Sequence, residues 1–369
     1  MSVPGRTTLW DEPLPKHLNK RRHKHDRIRR ALVLLALSGL TLRPWPAAAQ
    51  DKPPSAAPAP ATPVVLKAGI ADSSNMVLAL YMARAESLDV AHGIRIDIVD
   101  MNGGSRGAEE LQAGRIDVMQ VGLSAVVKVN QSGGDLRLIA SLSNVMRFDL
   151  FAARGVTSAA GLKGGTIGIS SSGSESDSAV TLALQKLGLT RDDVVVKEYG
   201  SGARRLAALR SGEIKAAPLD EPMASAARQA GLTTLVDFVP LQIPWLFAGI
   251  AVRHDDIGAR RDLLMRYLKA CIEGNYIALA DEKRAKQVLA KDLKITSEKN
   301  LDIAYRDFVA QSPPNLEPSI AGIQNILKVF PHASQNAGDF VDMSFLDALK
   351  NQGFFAAMAA KYGQHGQKP

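Results

Sequence analysis

The sequence predicts an α/β protein of two similar lobes that face each other across a cleft. One observation is a repeated pattern, Leu-x-x-Gly-x-Ile, seen in Leu111-Gln-Ala-Gly114-Arg-Ile116 and again in Leu209-Arg-Ser-Gly212-Glu-Ile214. A small-residue loop precedes each copy, Gly103-Gly104-Ser105 in one and Gly200-Ser201-Gly202 in the other. An apolar run and a second loop follow each, Gly122-Leu123-Ser124-Ala125 or Asp220-Glu221-Pro222. The six residues alone are ordinary helix-stop grammar; the flanking loops that recur with them make a duplicated unit. The other observation is that short apolar strands alternate with helical patterns through both copies, which argues for parallel or mixed sheets with helical cover. Clefts between such lobes bind ligands.

The elements follow in order. A strand over 64–70 opens the first lobe. Residues 71–75, Ala71-Asp72-Ser73-Ser74-Asn75, form a loop ending in good N-cap residues. The next helix places Val77, Leu80, Tyr81 and Leu88 on one face and ends at His92-Gly93. Ile94, Ile96 and Ile98 alternate with Arg95 and Asp97, the period of a half-buried strand. A loop at 100–105, a helix at 106–113, a strand at 118–121, a short helix and a strand at 136–142 complete the lobe. Residues 148–153 read as a strand leaving it. The second lobe repeats the alternation: a strand at 166–169, a Ser-rich loop, and a helix carrying Val180, Leu184 and Leu187 that stops at Gly188. A strand at 194–196, a helix at 203–210 and a short strand at 215–219 follow. Segment 245–252 carries the chain back. Beyond about 258 the pattern is helical, with amphipathic stretches at 261–280, 282–293, 297–310, 318–328 and 340–362 that are expected to brace the first lobe. The expected division is a leader at 1–49, a linker at 50–63, a first lobe at 64–150 completed by 250–365, and a second lobe at 151–249. Closure is expected about hinges near 148–154 and 246–251.

The net charge of +8 suggests nucleic acid until it is divided along the chain. Residues 1–49 hold ten of the basic residues and three of the acidic ones, leaving 35 basic against 34 acidic in the body. A nearly neutral body has no electrostatic footprint for nucleic acid. The basic stretch from Lys20 to Arg30 precedes an apolar run at 31–42 and then Pro46-Ala47-Ala48-Ala49. This is the order of a secretory signal peptide, with cleavage expected after Ala49 and a periplasmic destination. An uncleaved anchor, or a basic tail ahead of a later start, is the other reading. Residues 51–63 are rich in Pro and Ala, the composition of an extended spacer. Cys271 is the one cysteine, so no intrachain disulfide is possible. Its place in a helical pattern points to a core thiol.

Ligands of open α/β sheets bind beyond the carboxyl ends of strands, and four loops leave such ends. Ser170-Ser171-Ser172-Gly173-Ser174-Glu175-Ser176 follows a strand and opens a helix. Its hydroxyls, free N–H groups and positive helix end suit an anion; a solvated Ser-rich N-cap is the bland alternative. No Gly-Lys-Ser/Thr follows, so it is no P-loop. Ser73, Ser74 and Asn75 are either a cap or a ligand contact. Gly104 belongs to the loop opening the first repeat, while Gly122 and Ser124 either let a ligand approach the backbone or make a packing turn. Asp220 and Glu221 either accept bonds from a ligand amine or hydroxyl or cap the helix that follows. Arg147 either pairs with an anionic ligand or is an ordinary surface arginine, and Trp245 either walls the cleft or packs in the core. Catalytic signals are poor. His92, His254, His332 and His365 have no metal spacing, and neither a G-x-S-x-G elbow nor H-E-x-x-H is present. No metal or cofactor is expected.

The chain resembles the nitrate/sulfonate/taurine group of bacterial solute-binding proteins, which also includes binders of pyrimidine thiamine precursors. The matching stretches are Gly103-Gly104-Ser105 with 111–118, Gly134-Asp-Leu-Arg-Leu-Ile139, Gly161-Leu-Lys-Gly164-Gly-Thr-Ile167-Gly168, Leu187-Gly188-Leu189 with Asp192-Asp193-Val194, and Glu221-Pro222. The similarity spans roughly 64–330, and the order and spacing of its motifs are more specific than any one of them. The resemblance implies a type II periplasmic-binding-protein fold, no enzymatic activity, and delivery of a solute to an ABC permease in the inner membrane by a monomeric protein. It also implies that Ser73, Ser74, Ser124, Ser172, Ser174 and Glu221 line the cleft. Lys215 stands where the family carries an acid, and Asp220 where an aromatic often precedes Glu-Pro. Taken with the Ser-rich loops, the resemblance points to a small polar, anionic organic solute of the sulfonate, taurine or nitrate-like kind, with sulfonate, carboxylate, nitrate-like anion and pyrimidine all left open. The rival readings are an enzyme on the same fold, marked by a cleft lysine, histidine or cysteine cluster, and a periplasmic sensory partner that docks on a receptor.

Overall fold

The computed structural model describes residues 63–363; the expected leader and nearly all of the expected linker lie outside them. Two five-stranded sheets form the framework, and both have the same plan. In the first, β1 (Val64–Ile70) lies parallel between β2 (Ile94–Asp100) and β3 (Val118–Val121). Helices α1 (Leu78–Ala85) and α2 (Leu88–Ala91) connect β1 to β2, α3 (Gly104–Gln112) connects β2 to β3, and α4 (Leu123–Gln131) leads to β4 (Leu136–Val145). The expected single helix after the first loop is divided by Ser87, whose φ of 55° cannot continue a helix.

The second sheet starts with β5 (Asp149–Ala152) and continues through β6 (Thr166–Ile169), α5 (Glu175–Lys186), β7 (Val195–Glu198), α6 (Gly202–Ser211), β8 (Ala216–Leu219), α7 (Met223–Gln229) and β9 (Thr233–Val236). Strand order is β7-β6-β8-β5-β9, with β6 parallel to β7 and β8 and with β5 antiparallel to β8 and β9. The return strand β10 (Pro244–Arg253) then inserts antiparallel between β3 and β4. Each sheet thus takes its one antiparallel insert from the segment that has just left the other. The repeated six residues are the α3-to-β3 and α6-to-β8 connections. Gly114 and Gly212 occupy the left-handed region at φ +72° and +78°, where glycine ends a helix without a Cβ penalty.

The segments expected to act as hinges lie largely in strands. Residues 149–152 and 246–251 belong to laddered strands. The segments between the sheets are 146–148 and 237–243, and the Met146 N–H of one donates to Ile243 O of the other at 3.0 Å. All of β10 belongs to the first sheet, so the boundary falls before 244 rather than at 249.

Short α8 (His254–Ala259) leads into α9 (Arg261–Ala280), which packs along α1 and β2. After it come α10 (Glu282–Asp292), α11 (Glu298–Gln311), α12 (Ile320–Val329), α13 (Ser344–Asn351) and α14 (Phe354–Tyr362). These helices contact the first sheet and its cover, as expected. The expected helix at 340–362 is two helices, broken at Gly353 with φ +71°. Cys271 is fully buried in α9, and burial pushes its thiol up to about 12. Among the described residues no helix is long and apolar enough to cross a membrane.

Candidate functional site

The carboxyl ends of β1, β3, β6 and β8 converge on one cavity of about 80 Å³ between the two sheets. Strand direction explains the convergence: parallel strands leave their C-terminal loops on one edge, and the two edges face each other. Ala71, Asp72 and Ser74 come from the end of β1, and Gly122 from the end of β3. Ser170, Ser174, Glu175 and Ser176 come from the end of β6, and Asp220 from the end of β8. Met76, Val77, Val121, Leu142, Phe148 and Phe247 supply an apolar wall, with Gly104, Gln120 and Arg205 completing the lining. Phe148 and Phe247 meet edge to face at 4.9 Å between ring centres.

The cavity holds three acids and one base. Burial raises the Asp220 carboxyl to about 7, with Asp72 nearby adding to the rise. Burial also raises Glu175 to about 7, against the opposing donors Trp245 and Ser124. Asp72 is raised by burial as well, and burial lowers the Arg205 guanidinium. The Arg205 Nε and Nη1 donate to the carbonyls of Pro218 and Gly200 at 3.1 and 2.6 Å.

These groups tie the lobes together. Glu175 Oε1 accepts the Ser124 N–H at 2.7 Å, at the N-terminus of α4, and its other oxygen accepts the Trp245 Nε1–H. Asp72 Oδ2 accepts the Gly202 N–H at the N-terminus of α6. The Ser105 N–H donates to Ser171 Oγ at 3.2 Å, and Ser178 Oγ donates to Ser124 Oγ at 3.0 Å.

The Ser-rich loop expected to hold an anion has partners of its own in this geometry. The N–H groups of Ser172 and Gly173 donate to the carboxylates of Glu198 and Asp177 at 2.7 and 2.8 Å. The hydroxyls of Ser170, Ser174 and Ser176 bond one another, each pair at 2.9 Å. Carboxylates of the chain itself occupy the N-termini of α4 and α6, and an incoming anion would meet the acids of the cavity.

A model of the NMT1/THI5 like family matches residues 75–285. The chain belongs to this family. No curated protein matches it in sequence. Among solved structures, a protein of Bordetella bronchiseptica RB50 superposes with a TM-score of 0.70 at 18% identity, over 78% of this chain and 98% of that one. The ligand binding component of an ABC-type import system from Staphylococcus aureus, with zinc bound, matches at 0.63 and 17%, over 77% and 98%. The alkanesulfonate-binding protein SsuA of Xanthomonas axonopodis pv. citri, bound to MOPS, matches at 0.59 and 18%, over 69% and 86%. At these identities the likeness is one of fold, and that fold is the two-lobed periplasmic-binding-protein fold expected from the motifs.

Of the residues singled out in sequence, this family member brings Ser74, Gly104, Gly122, Ser174 and Asp220 to the cavity. The others lie off its lining. Ser73 is exposed and donates to Asp100 at 3.0 Å. Asn75 is buried, and its Nδ2 donates to Ala304 O and Asp307 Oδ2, both at 2.8 Å. Ser124 and Ser171 are buried in the contact between lobes; Ser172 is exposed beside it, and Gly173 packs over Lys128. Arg147 is no surface arginine: it is buried and ion-paired with Asp307. Glu221 accepts from Arg228 and from the Ser225 N–H, capping α7 on the far side of the crossing strand. Arg147, Glu221, Arg228 and Asp307 border a second cavity of about 280 Å³ there. Trp245 does not wall the cleft; it is fully buried behind Glu175.

Sequence reasoning passed over Asp72, Gln120, Phe148, Glu175, Arg205 and Phe247 as cavity residues. Two of them left a signal. Arg205 interrupts the apolar stripe made by Ala208 and Leu209 on α6, and Gln120 interrupts the apolar strand β3; a polar group on a core face marks a local task. Among the described residues no group of three or more His, Cys, Asp or Glu residues is placed to hold a metal ion.

Proposed function

We propose that the protein is the exported solute-binding component of an ABC importer. It captures a small polar organic solute between its two lobes and presents the closed form to an inner-membrane permease, acting as a monomer in the periplasm and altering no bond. The observation that carries this is the cavity at the facing strand ends, whose two walls are joined by hydrogen bonds that only the closed arrangement can make. The expected leader at 1–49 supports export, and the roles named for the Staphylococcus aureus and Xanthomonas proteins are those proposed here. The acids in the cavity count against the sulfonate or nitrate that the motifs suggested.

A thermal-shift screen of the purified protein, freed of carried-over ligand, tests this. The panel comprises sulfonates, carboxylates, nitrate, pyrimidines, amines and amino acids. A ligand at 100 times its Kd adds about 2.7 kcal/mol to stability, so a saturable shift with the compound recovered unchanged is expected. Absence of a shift with every class would count against solute capture.

One observation favours an enzyme instead: Glu175 and Asp220, both raised to about 7, share one cavity, and perturbed carboxyls cluster at catalytic sites. No cysteine, histidine or lysine lines that cavity, so a serine of the lining, a carboxylate or a water would have to serve as the nucleophile. Turnover of any panel compound would decide for the enzyme.

A further inference from the structure

Building on the solute-binding reading above, we propose that the cavity selects a small organic cation, a protonated amine or amidine on an apolar body, and that Asp220 is the residue that reads its charge. Asp220 lines the cavity at 9% exposure. Among the described residues no N–H or O–H of another residue donates to its carboxylate; its own backbone N–H is the one donor. A buried carboxylate with so few donors is costly, and a ligand N–H supplies what is missing.

The other acids are already engaged. Both oxygens of Glu175 accept protein donors, and Asp72 accepts the N–H groups of Gly202 and Ser73. Among the acids of the cavity Asp220 is therefore the one left for a ligand; the Gln120 Oε1, without a partner among the described residues, is a neutral acceptor in the same lining. The single cation of the lining is engaged too: the Arg205 guanidinium donates to two carbonyls of its own lobe and stands over the Phe148 ring at 5.8 Å. An anionic solute would find three acids around one guanidinium that is already bonded. The apolar side of the cavity, Met76, Val77, Leu142 and Phe247, suits the hydrocarbon part of an amphiphilic cation.

The test is isothermal titration of the purified protein at pH 7.5 with probes matched in size and different in charge. These are n-butylammonium, butyramide and butane-1-sulfonate, and benzylammonium, benzyl alcohol and benzenesulfonate. The expected result is that an ammonium probe binds at least tenfold more tightly than its neutral and anionic counterparts. Asp220→Asn, checked for folding by circular dichroism, is expected to weaken that probe at least tenfold. Should the variant fail to fold, the matched series on the unaltered protein decides alone. Tighter binding of a sulfonate, or unchanged ammonium affinity in a folded Asp220→Asn protein, overturns the proposal while leaving solute capture standing. If the wider screen finds only neutral or anionic ligands, the proposal is likewise overturned. If no compound of any charge binds in either experiment, solute capture itself fails and the proposal falls with it.

Discussion

Glu175 and Ser124 belong to different lobes, and the carboxylate of the first accepts the backbone N–H of the second at 2.7 Å. The contact is possible because Gly122 leaves room: a Cβ there would lie 2.2 Å from the Glu175 side chain. A helix N-terminus of one lobe thus receives a negative charge built into the other, and Trp245 closes over the second oxygen.

Gly122→Ala should therefore open the molecule. The added methyl group displaces Glu175, leaving the Ser124 N–H and the Trp245 indole N–H without their acceptor, and overpacking of this kind costs about 1–3 kcal/mol. Small-angle scattering is expected to give a larger radius of gyration than for the parent, and urea unfolding a lower midpoint. A variant of parental size and stability would mean that the carboxylate does not hold the lobes together.

Stability should fall as pH rises. Glu175 and Asp220 move from ordinary values of 4.5 and 3.8 to about 7 on burial. Between those values and about 7 the folded protein keeps protons that the unfolded chain has released. The contribution of these two groups is fully present below 3.8 and is lost as pH passes about 7. Urea unfolding at pH 5 and pH 8 is expected to show the higher midpoint at pH 5. Glu175→Gln, which cannot ionise, should narrow the gap; an equal gap in the variant would assign the dependence to other groups.

Arg147, buried, and Asp307, half-buried, form an ion pair that links the crossing segment to α11. Burial lowers the Arg147 guanidinium to about 10, yet it stays charged at neutral pH, and its Nη1 has no partner. Asp307→Ala removes the partner in contact and leaves Arg147 with the Asp220 and Glu221 charges alone, and breaking a buried pair from one side costs about 3–5 kcal/mol. Chemical denaturation is expected to show a loss of that size. A loss no larger than that of an exposed ion pair, about 0–1 kcal/mol, would mean that water replaces the partner without penalty. The substitution Arg147→Met with Asp307→Leu, which removes both charges, should recover much of the loss.

Most strands and helices were legible because their signals are local, although β9 and α7 were not read from the sequence. The alternation of Ile94, Ile96 and Ile98, the N-cap grammar of the loops and the glycine stops at Gly114 and Gly212 each depend on neighbours a few residues away. The boundaries that went wrong depend on single residues whose backbone conformation composition does not reveal, Ser87 and Gly353. The site was legible in part. Its loops were found from strand direction and small-residue content, yet most of its lining was missed, in part because Asp72, Glu175 and Arg205 matter through partners far along the chain.

What the sequence determined by itself is the duplicated α/β plan, the family and the four loops at strand ends, since periodicity and turn chemistry act over short separations. The tertiary structure alone decided the charge of the site. The loops look suited to an anion when read singly, because each offers hydroxyls and free N–H groups. Once the lobes meet, Glu175 and Asp72 reach across to the helix ends of the opposite lobe and occupy them. Only the packing of two sheets determines which buried charge finds which partner, and that packing sets three acids and one guanidinium around the cavity.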